Sequence, residues 1–312
     1  MNITRENFNS AVKVKSEPSS LISGLWISRS VIGVNANGKQ QALLGFSAGF
    51  DKDKCEINST FELLERLVFL PNLYDKKFLE KPVVFVSENL DHLHVKGYIH
   101  QFLVGSEGPQ RQFYGNGCAI FDTPLGAIIH SRNELIERHL CCEIWYKRSI
   151  KLRRDHGYEV SALNPFVKIK FYTIKDVLEF KFAIVVLECL VTGFFVVGSA
   201  IRSNLKSAYD HALGEVGMIF EDFVKRRDGN TTSVLSNKKI LSLRNREISQ
   251  RRKEYFNDLE DKTTHDFYAQ PDYQSIFFEP LPGIYAARTF SNKALDPRLF
   301  EAVTSIPTLP LF

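Results

Sequence analysis

The chain has 312 residues and a formal charge of +4, from 40 Lys and Arg against 36 Asp and Glu. Apolar residues make up 44% and aromatic residues 12%, enough surface to bury that disorder is excluded. With 18 Gly and 12 Pro, collagen-like and proline-rich classes are excluded too, and a charge this near neutral argues for no nucleic-acid or membrane partner.

The first 20 residues are polar and expected to lie frayed outside a single domain spanning 21–312. From Gly24 to Phe46 the text reads as a β-hairpin turning at Asn35-Ala36-Asn37-Gly38. Gly33 to Gln40 also fits the phosphate-loop pattern GxxxxGK. However, Gln40 stands where Ser or Thr should reach magnesium, and β-like segments flank it, so the hairpin is preferred. Residues 56–70 carry a helical apolar stripe, and 83–86 and 94–104 read as strands. His92, His94 and His100 are a metal-ligand alternative to ordinary strand histidines, the latter preferred because no fourth ligand stands nearby.

Residues 125–148 are the clearest helix, with Cys141 and Cys142 on different faces as core filling. Residues 166–174 and 182–201 read as strands. Phe182 to Ile201 is long enough to cross a bilayer, but Glu188 near its middle and the break at Thr192-Gly193 favour two buried strands. Residues 204–224 form another amphipathic helix capped by Asn204. Residues 225–253 hold ten Lys and Arg against Asp228 and Glu247; a mobile solvated region is preferred to a contact with phosphate or an acidic peptide. Strands and helices are intermixed without a long linker, which defines one mixed α/β (α+β) domain. Cys55, Cys118, Cys141, Cys142 and Cys189 have no CxxC spacing, and no signal-peptide pattern opens the chain. Both point to reduced thiols in the cytoplasm.

The chain echoes itself. Ser-Thr-Phe-Glu-Leu-Leu-Glu-Arg at 59–66 returns as Ser-Arg-Asn-Glu-Leu-Ile-Glu-Arg at 131–138. On a helix Glu62, Glu65 and Arg66 share one face, as do Glu134, Glu137 and Arg138. If the two helices face each other, four carboxylates and two guanidiniums converge. Such a set needs cations; hard oxygen ligands suit Mg²⁺, and arginines suit phosphate. A magnesium–nucleotide site is the sharp reading, and a solvated face of internal ion pairs is the bland one. Glu215 on the third helix is, taken alone, no more than a carboxylate.

In this order the pieces resemble the YcaO family, ATP-dependent enzymes that modify peptide backbones. Asn58 to Arg66 is similar to the family's first SxxxExxER helix. Asn116-Gly117-Cys118-Ala119, followed by Glu134 to Arg138 and Trp145, resembles its second block. Gly198-Ser199-Ala200, leading to Ala208 and Ala212-Leu213-Gly214-Glu215, resembles its third, and Tyr285 to Arg288 through Pro297 its late strand. The likeness covers residues 40–225 and is strongest to subunits of azole-forming microcin synthetases.

The resemblance implies a YcaO-like domain in which three helices on mixed sheets line an ATP site without a Walker motif. Asn58, Glu62, Arg66, Glu134, Glu137, Arg138 and Glu215 would hold the nucleotide, and Glu62, Glu65, Glu134 and Glu137 the magnesium. It assigns no residue that touches the peptide chemistry. That chemistry adds a Cys, Ser or Thr side chain to the preceding amide carbonyl, phosphorylates the oxyanion with ATP, and expels phosphate to leave an azoline. The partners implied are a ribosomally made precursor peptide, a separate leader-peptide-binding protein and a flavin-dependent dehydrogenase, with a homodimer left open. Relatives making thioamides or amidines leave the product open as well. Asn58 and His130 replace the family's serines, Met218 its glutamine, and the proline-rich tail is reduced to Pro307 to Phe312. Ser59 and Ser131 lie about 100° around the helix and are not substitutes. These departures support the alternative of a non-catalytic YcaO-like scaffold subunit.

Overall fold

A computed structural model describes residues 8, 10–36, 39–70, 74–87, 89–93, 97–103, 117–160, 165–175, 180–227, 245–262, 272–291 and 293–295. Its organising feature is an edge strand that runs, after two connecting residues, into a long helix; this occurs three times.

The first sheet holds β1 (Lys13–Pro18), β2 (Trp26–Ala36) and β3 (Lys39–Gly49) in that order, and β3 leads to α1 (Lys52–Val68). The second takes β4 (Val84–Val86), β5 (His92–Leu93) and β6 (Cys118–Phe121) together with β11 (Gln274–Leu281) and β12 (Ile284–Phe290). Its order is β5-β4-β11-β12-β6, and β6 leads to α2 (Pro124–Cys142). The third holds β7 (Arg153–Asp155), β8 (Val167–Thr173), β9 (Lys181–Cys189) and β10 (Phe195–Arg202) in the order β10-β9-β8-β7. From β10 the chain enters α3 (Leu205–Arg227), and α4 (Arg246–Lys262) follows. All pairings are antiparallel.

The three helices start by the same device. Asp51, Thr123 and Asn204 each stand at the N-cap and accept a backbone N–H three residues on, from Lys54, Gly126 and Ser207. Each satisfies a donor the first turn would otherwise leave open. A glycine then lets each helix lie close on its own strand. A Cβ at Gly45 would stand 2.1 Å from the Ser59 carbonyl oxygen, and one at Gly198 2.5 Å from that of Ala212. Gly117, the matching residue, has φ +68° and faces the Ser131 and Thr289 carbonyls. These three pairs are each fourteen residues apart, so the units share spacing as well as shape.

The apolar faces close the cores. Leu63, Leu64 and Leu67 of α1 pack with Phe85, Ile120 and Ile276 of the second sheet. Ala208, Leu213 and Val216 of α3 pack on Val185, Val196 and Ala200, while the other face of that sheet meets Trp145, Phe256 and Leu259. Each fully buried leucine or isoleucine contributes about 1.5–3 kcal/mol. Each helix also packs on the next unit: α1 on β6, α2 on β10 and α3 on β3. That cyclic arrangement aims all three helices at a common centre.

Several expectations change. Residues 13–18 are not frayed but form β1, paired with Trp26 to Val31; with alternating side chains and a partner strand, a polar sequence still completes a sheet. The strand expected over 94–104 is, at 97–103, a single bridge from Tyr98 to Pro82 and a 3₁₀ turn Ile99–Phe102. Helix α2 ends at Cys142 and continues as a π turn, Glu143–Lys147, stopped by Arg148 at φ 54°. Within the basic stretch 225–253, residues 246 onward belong to α4, and 228–244 lie outside the described residues. Gly33 to Ala36 and Lys39 to Gln40 are strand, paired Ala36 to Lys39, which excludes a phosphate loop; Asn37 and Gly38 lie outside the described residues. Phe182 to Ile201 forms two paired strands around Gly193 at φ +70°. Among the described residues no helix is long and apolar enough to cross a membrane. His94, Asn116 and residues 296–312 also lie outside the described residues.

Candidate active site

At the common centre each helix returns a glutamate to the strand that launched it. Phe46 N–H donates to Glu62 Oε2 at 2.9 Å, Cys118 N–H to Glu134 Oε2 at 3.0 Å, and Ser199 N–H to Glu215 Oε2 at 3.4 Å. All three bonds span sixteen residues. Glu62, Glu134 and Glu215 are therefore equivalent, as are Asn58, His130 and His211 one turn earlier. One turn later stand Glu65, Glu137 and Met218. The third unit thus carries a glutamate and a histidine, but a thioether where the others carry a second carboxylate.

The two echo helices do face each other: the Glu134 carboxylate acts on Glu65 across the gap. Burial raises Glu65 well above the usual carboxyl range, and the negative charges of Glu134 and Glu62 add to it. Burial likewise lifts Glu134 to about 7, against the pull of Arg138 and the Cys118 N–H. Glu215 is pushed to about 8 by burial and then by Glu137, with Arg138 opposing. Glu62 and Glu137 are raised by burial and partly restrained by Arg66 and Arg138. These are carboxylates that cannot all ionise together in a dry space.

The cations are placed among them. Arg66 pairs with Glu62 and donates to the Leu44 carbonyl at 2.8 Å. Arg138 stays charged because Glu137, Glu134 and Glu215 outweigh its burial, yet its Nε is buried without a hydrogen-bond partner. Arg202, at the end of β10, acts on Glu137, Glu215, His130 and His211 together. Burial first, then Arg202, lowers both imidazoles, His211 well below the usual range. His130 also stacks on Phe121, ring centroids 5.0 Å apart.

The site is a cleft and not a sealed core: the Glu62 and Glu215 side chains keep 31% and 24% of their surface. Among the described residues, no three His, Cys, Asp or Glu side chains are arranged to hold one metal ion. The glutamates instead form a string along the cleft. Mg²⁺ bound with phosphates needs only one or two carboxylates and keeps several waters, so the donor set fits a magnesium nucleotide and not an all-protein cage. Five raised carboxylates and an unpartnered guanidinium nitrogen are a set that cations and phosphate oxygens would complete.

Of the other sequence candidates, His94 and the His92 side chain lie outside the described residues. His100 Nδ1 meets the Leu79 carbonyl at 3.1 Å and its ring stacks on Tyr98. Ser59 bonds Ser28 and Ser131 bonds Thr289, both fully buried behind the helices. Cys141 and Cys142 are buried, Cys141 Sγ lying 3.3 Å from Ser199 Oγ. Asn58 is exposed, one turn before Glu62. Ser199, Arg202 and His211 were not singled out from sequence as site residues. A spacing would have found them: Gly45 to Glu62, Gly117 to Glu134 and Gly198 to Glu215 are all seventeen residues, extending the echo to a third copy.

Fold and cleft together define an α+β protein built of three strand–helix units around an acidic, arginine-bearing centre. That fold is of YcaO type. The structure of YcaO from Methanopyrus kandleri bound with AMPPCP and Mg²⁺ matches with a TM-score of 0.62 at 12% identity, over 97% of this chain and 90% of that one. A heterocyclase in complex with substrate and cofactor matches equally, with a TM-score of 0.62 at 12% identity, over 92% of this chain but 50% of that one. A chain of the E. coli microcin synthetase McbBCD complex gives 0.59 at 12% identity, over 89% and 87%. No family profile and no curated protein matches in sequence, so the likeness is one of fold.

Proposed function

We propose that this chain is an ATP-dependent enzyme of the YcaO cyclodehydratase type, acting on the backbone of a ribosomally made precursor peptide. The observation that carries this reading is the convergence of Glu62, Glu65, Glu134, Glu137 and Glu215 with Arg66, Arg138 and Arg202 in one cleft. Its support from outside is a YcaO-type fold whose Methanopyrus kandleri example binds AMPPCP and Mg²⁺.

Bound magnesium ATP supplies the phosphoryl group that turns an amide oxygen, a poor leaving group, into a good one. The chain's own residues prepare for that. Glu62, Glu65, Glu134 and Glu137 would present the hard oxygens for magnesium, and would hold it in their ionised form. Glu215 on α3 and Asn58 on α1 would contact the nucleotide. Arg66, Arg138 and Arg202 offer guanidinium donors to phosphate oxygens, which suits charge building on a transferring phosphoryl. The backbone N–H groups of Phe46, Cys118 and Ser199 fix three glutamates so that little reorganisation is needed. A separate leader-binding partner and a flavin dehydrogenase belong to this reading, as does a cytoplasmic setting.

A second reading, a peptide-binding scaffold without turnover, is favoured by one observation. Met218 is 8% exposed and packs with Ile27 and Phe46, so the third unit presents no polar group at that position. Calorimetric titration with ATP and Mg²⁺ separates the two. The enzyme reading expects binding by the unmutated chain, weakened at least tenfold in Glu137→Ala, and phosphate release once peptide and partner are added. No binding sinks it; binding without release establishes the scaffold.

A further inference from the structure

Each glutamate that returns to its own strand has a polar residue one turn before it on the same helix face: Asn58 before Glu62, His130 before Glu134 and His211 before Glu215. One turn rises about 5.4 Å, so these three form a second ring, nearer the helix N-termini than the acids. All three are exposed. Neither imidazole makes a hydrogen bond to a described residue. His211 Nε2 stands 3.9 Å from Glu215 Oε1, and the His130 ring lies against Phe121, centroids 5.0 Å apart and planes 22° from parallel. That stacking fixes the plane of His130 and leaves both nitrogens, on the ring's edge, without a partner among the described residues.

The proposed reaction releases a proton beside this ring. With Arg202 on phosphate oxygens, the amide oxygen that accepts the phosphoryl group lies next to its guanidinium. The attacking sulfur or oxygen of the peptide is bonded to the same carbon, so its proton also leaves near Arg202. Both histidines feel that guanidinium, and they feel each other; Arg202 from β10 and His211 from α3 are the charged and titratable groups that face His130. The Asn58 amide cannot take a proton at neutral pH, whereas an imidazole can. Solvent reaches both rings, but the surrounding protein, and then Arg202, keep them uncharged, as a base must be. His211 is pushed well below the ordinary range and His130 less far, which leaves His130 the better proton acceptor near neutral pH.

Resting on the function proposed above, we infer that His130 is the general base that takes the proton of the Cys, Ser or Thr side chain attacking the preceding amide. The S–H or O–H bond breaks, its proton passes to a ring nitrogen of His130, and its electron pair forms the bond to the carbonyl carbon. The carbonyl π pair becomes the oxyanion that is phosphorylated. Loss of phosphate with the C–O electron pair, and of the amide N–H proton to water, leaves the azoline, and the imidazolium returns its own proton to water.

The test uses the full chain with ATP, Mg²⁺ and millimolar Ac-Gly-Ser-Gly-NH₂, Ac-Gly-Cys-Gly-NH₂ or the selenocysteine analogue, following phosphate release. His130→Gln should slow release about 10²–10⁴-fold for the serine peptide, less for cysteine, and hardly at all for selenocysteine, whose selenol is already ionised. ATP binding should be unchanged, and His211→Gln should show no such order among the peptides. Apart from turnover, diethyl pyrocarbonate should modify His130 in the complex with AMPPCP and Mg²⁺, read by mass spectrometry, and the serine peptide should slow that modification severalfold. An equal loss with all three peptides would mark a merely structural ring, and lost ATP binding a nucleotide contact; either overturns the inference. So does a His130 that the peptide fails to shield, or an unmutated chain that binds ATP yet releases phosphate with none of the peptides. An unmutated chain that binds no ATP sinks the proposed function and this inference together, so the two failures are told apart.

Discussion

Ser199 donates its hydroxyl to Glu137 Oε1 at 2.8 Å, tying β10 of the third unit to α2 of the second. The same residue gives its backbone N–H to Glu215, so one serine holds two carboxylates on either side of Arg138. The hydroxyl favours the charged form of Glu137 against the burial that opposes it. Ser199→Ala is expected to raise Glu137 further and to cost about 1.5–3 kcal/mol of stability near neutral pH, the worth of a hydrogen bond to a charged group. Urea unfolding would check this. The loss should shrink at pH 5, where Glu137 is protonated more of the time.

The cleft should make the ligand-free protein sensitive to rising pH. Glu134 at about 7 and Glu215 at about 8 hold protons in the folded state that an unfolded chain has already released. Folded protein therefore binds more protons than unfolded protein between about 4.5 and 8, and stability falls as pH climbs through that window. A full shift unit is worth about 1.4 kcal/mol, and the opening to solvent reduces it, so the combined loss should be on the order of 1–3 kcal/mol. Thermal melts from pH 5 to pH 8.5 should show a falling Tm that Glu215→Gln flattens. Adding Mg²⁺ should recover more at pH 8 than at pH 5, and chelation should remove that gain.

The helix-on-strand contacts predict which glycines tolerate no side chain. A methyl at Gly198 would meet the Ala212 carbonyl oxygen at 2.5 Å and Val216 at 2.9 Å, one of them backbone that cannot swing aside. Gly198→Ala should push α3 from β10, lengthen the already long Ser199–Glu215 bond, and cost about 1–3 kcal/mol. Gly283→Ala is the control: its Cβ would meet nothing within 4 Å, and only its φ of +72° is penalised. Both variants should melt early, but only Gly198→Ala should also weaken nucleotide binding at a temperature where each is folded.

These same contacts show why the sequence was readable in part. Helices 52–68, 124–142 and 205–227 announce themselves because each must keep one apolar face for its own sheet, which imposes a 3.6-residue period. The Glu62–Arg66 and Glu134–Arg138 faces repeat because both helices meet at one centre. The third copy was hidden because Met218 and Ile219 replace its second acid and its arginine: Met218 packs on Phe46, and Ile219 joins the core behind α3. The glycine, the N-cap residue, the histidine and the first glutamate keep their spacing there. β1 was hidden for a different reason. Its residues are largely polar, since only β2 and the surface need satisfying, and a partner strand leaves no mark in the sequence of a single segment.

Arg202 links the carboxylates to the histidines, and removing its charge should move the two groups in a shared direction. It lowers Glu137 and Glu215 by attraction and lowers His130 and His211 by repulsion. In Arg202→Gln all four should therefore rise. Burial is the larger cause for both, so each imidazole should rise yet stay below the ordinary range, His211 the further below. Imidazole resonances followed by NMR across pH 4–8 would show both histidines rising by this partial amount. If His211 recovered fully, charge and not burial would be the dominant influence on it. Nucleotide affinity should drop at least tenfold in the same variant, about 1.4 kcal/mol, while Mg²⁺ alone should bind no more weakly. A loss of both would place Arg202 in holding the helices together and not in meeting phosphate.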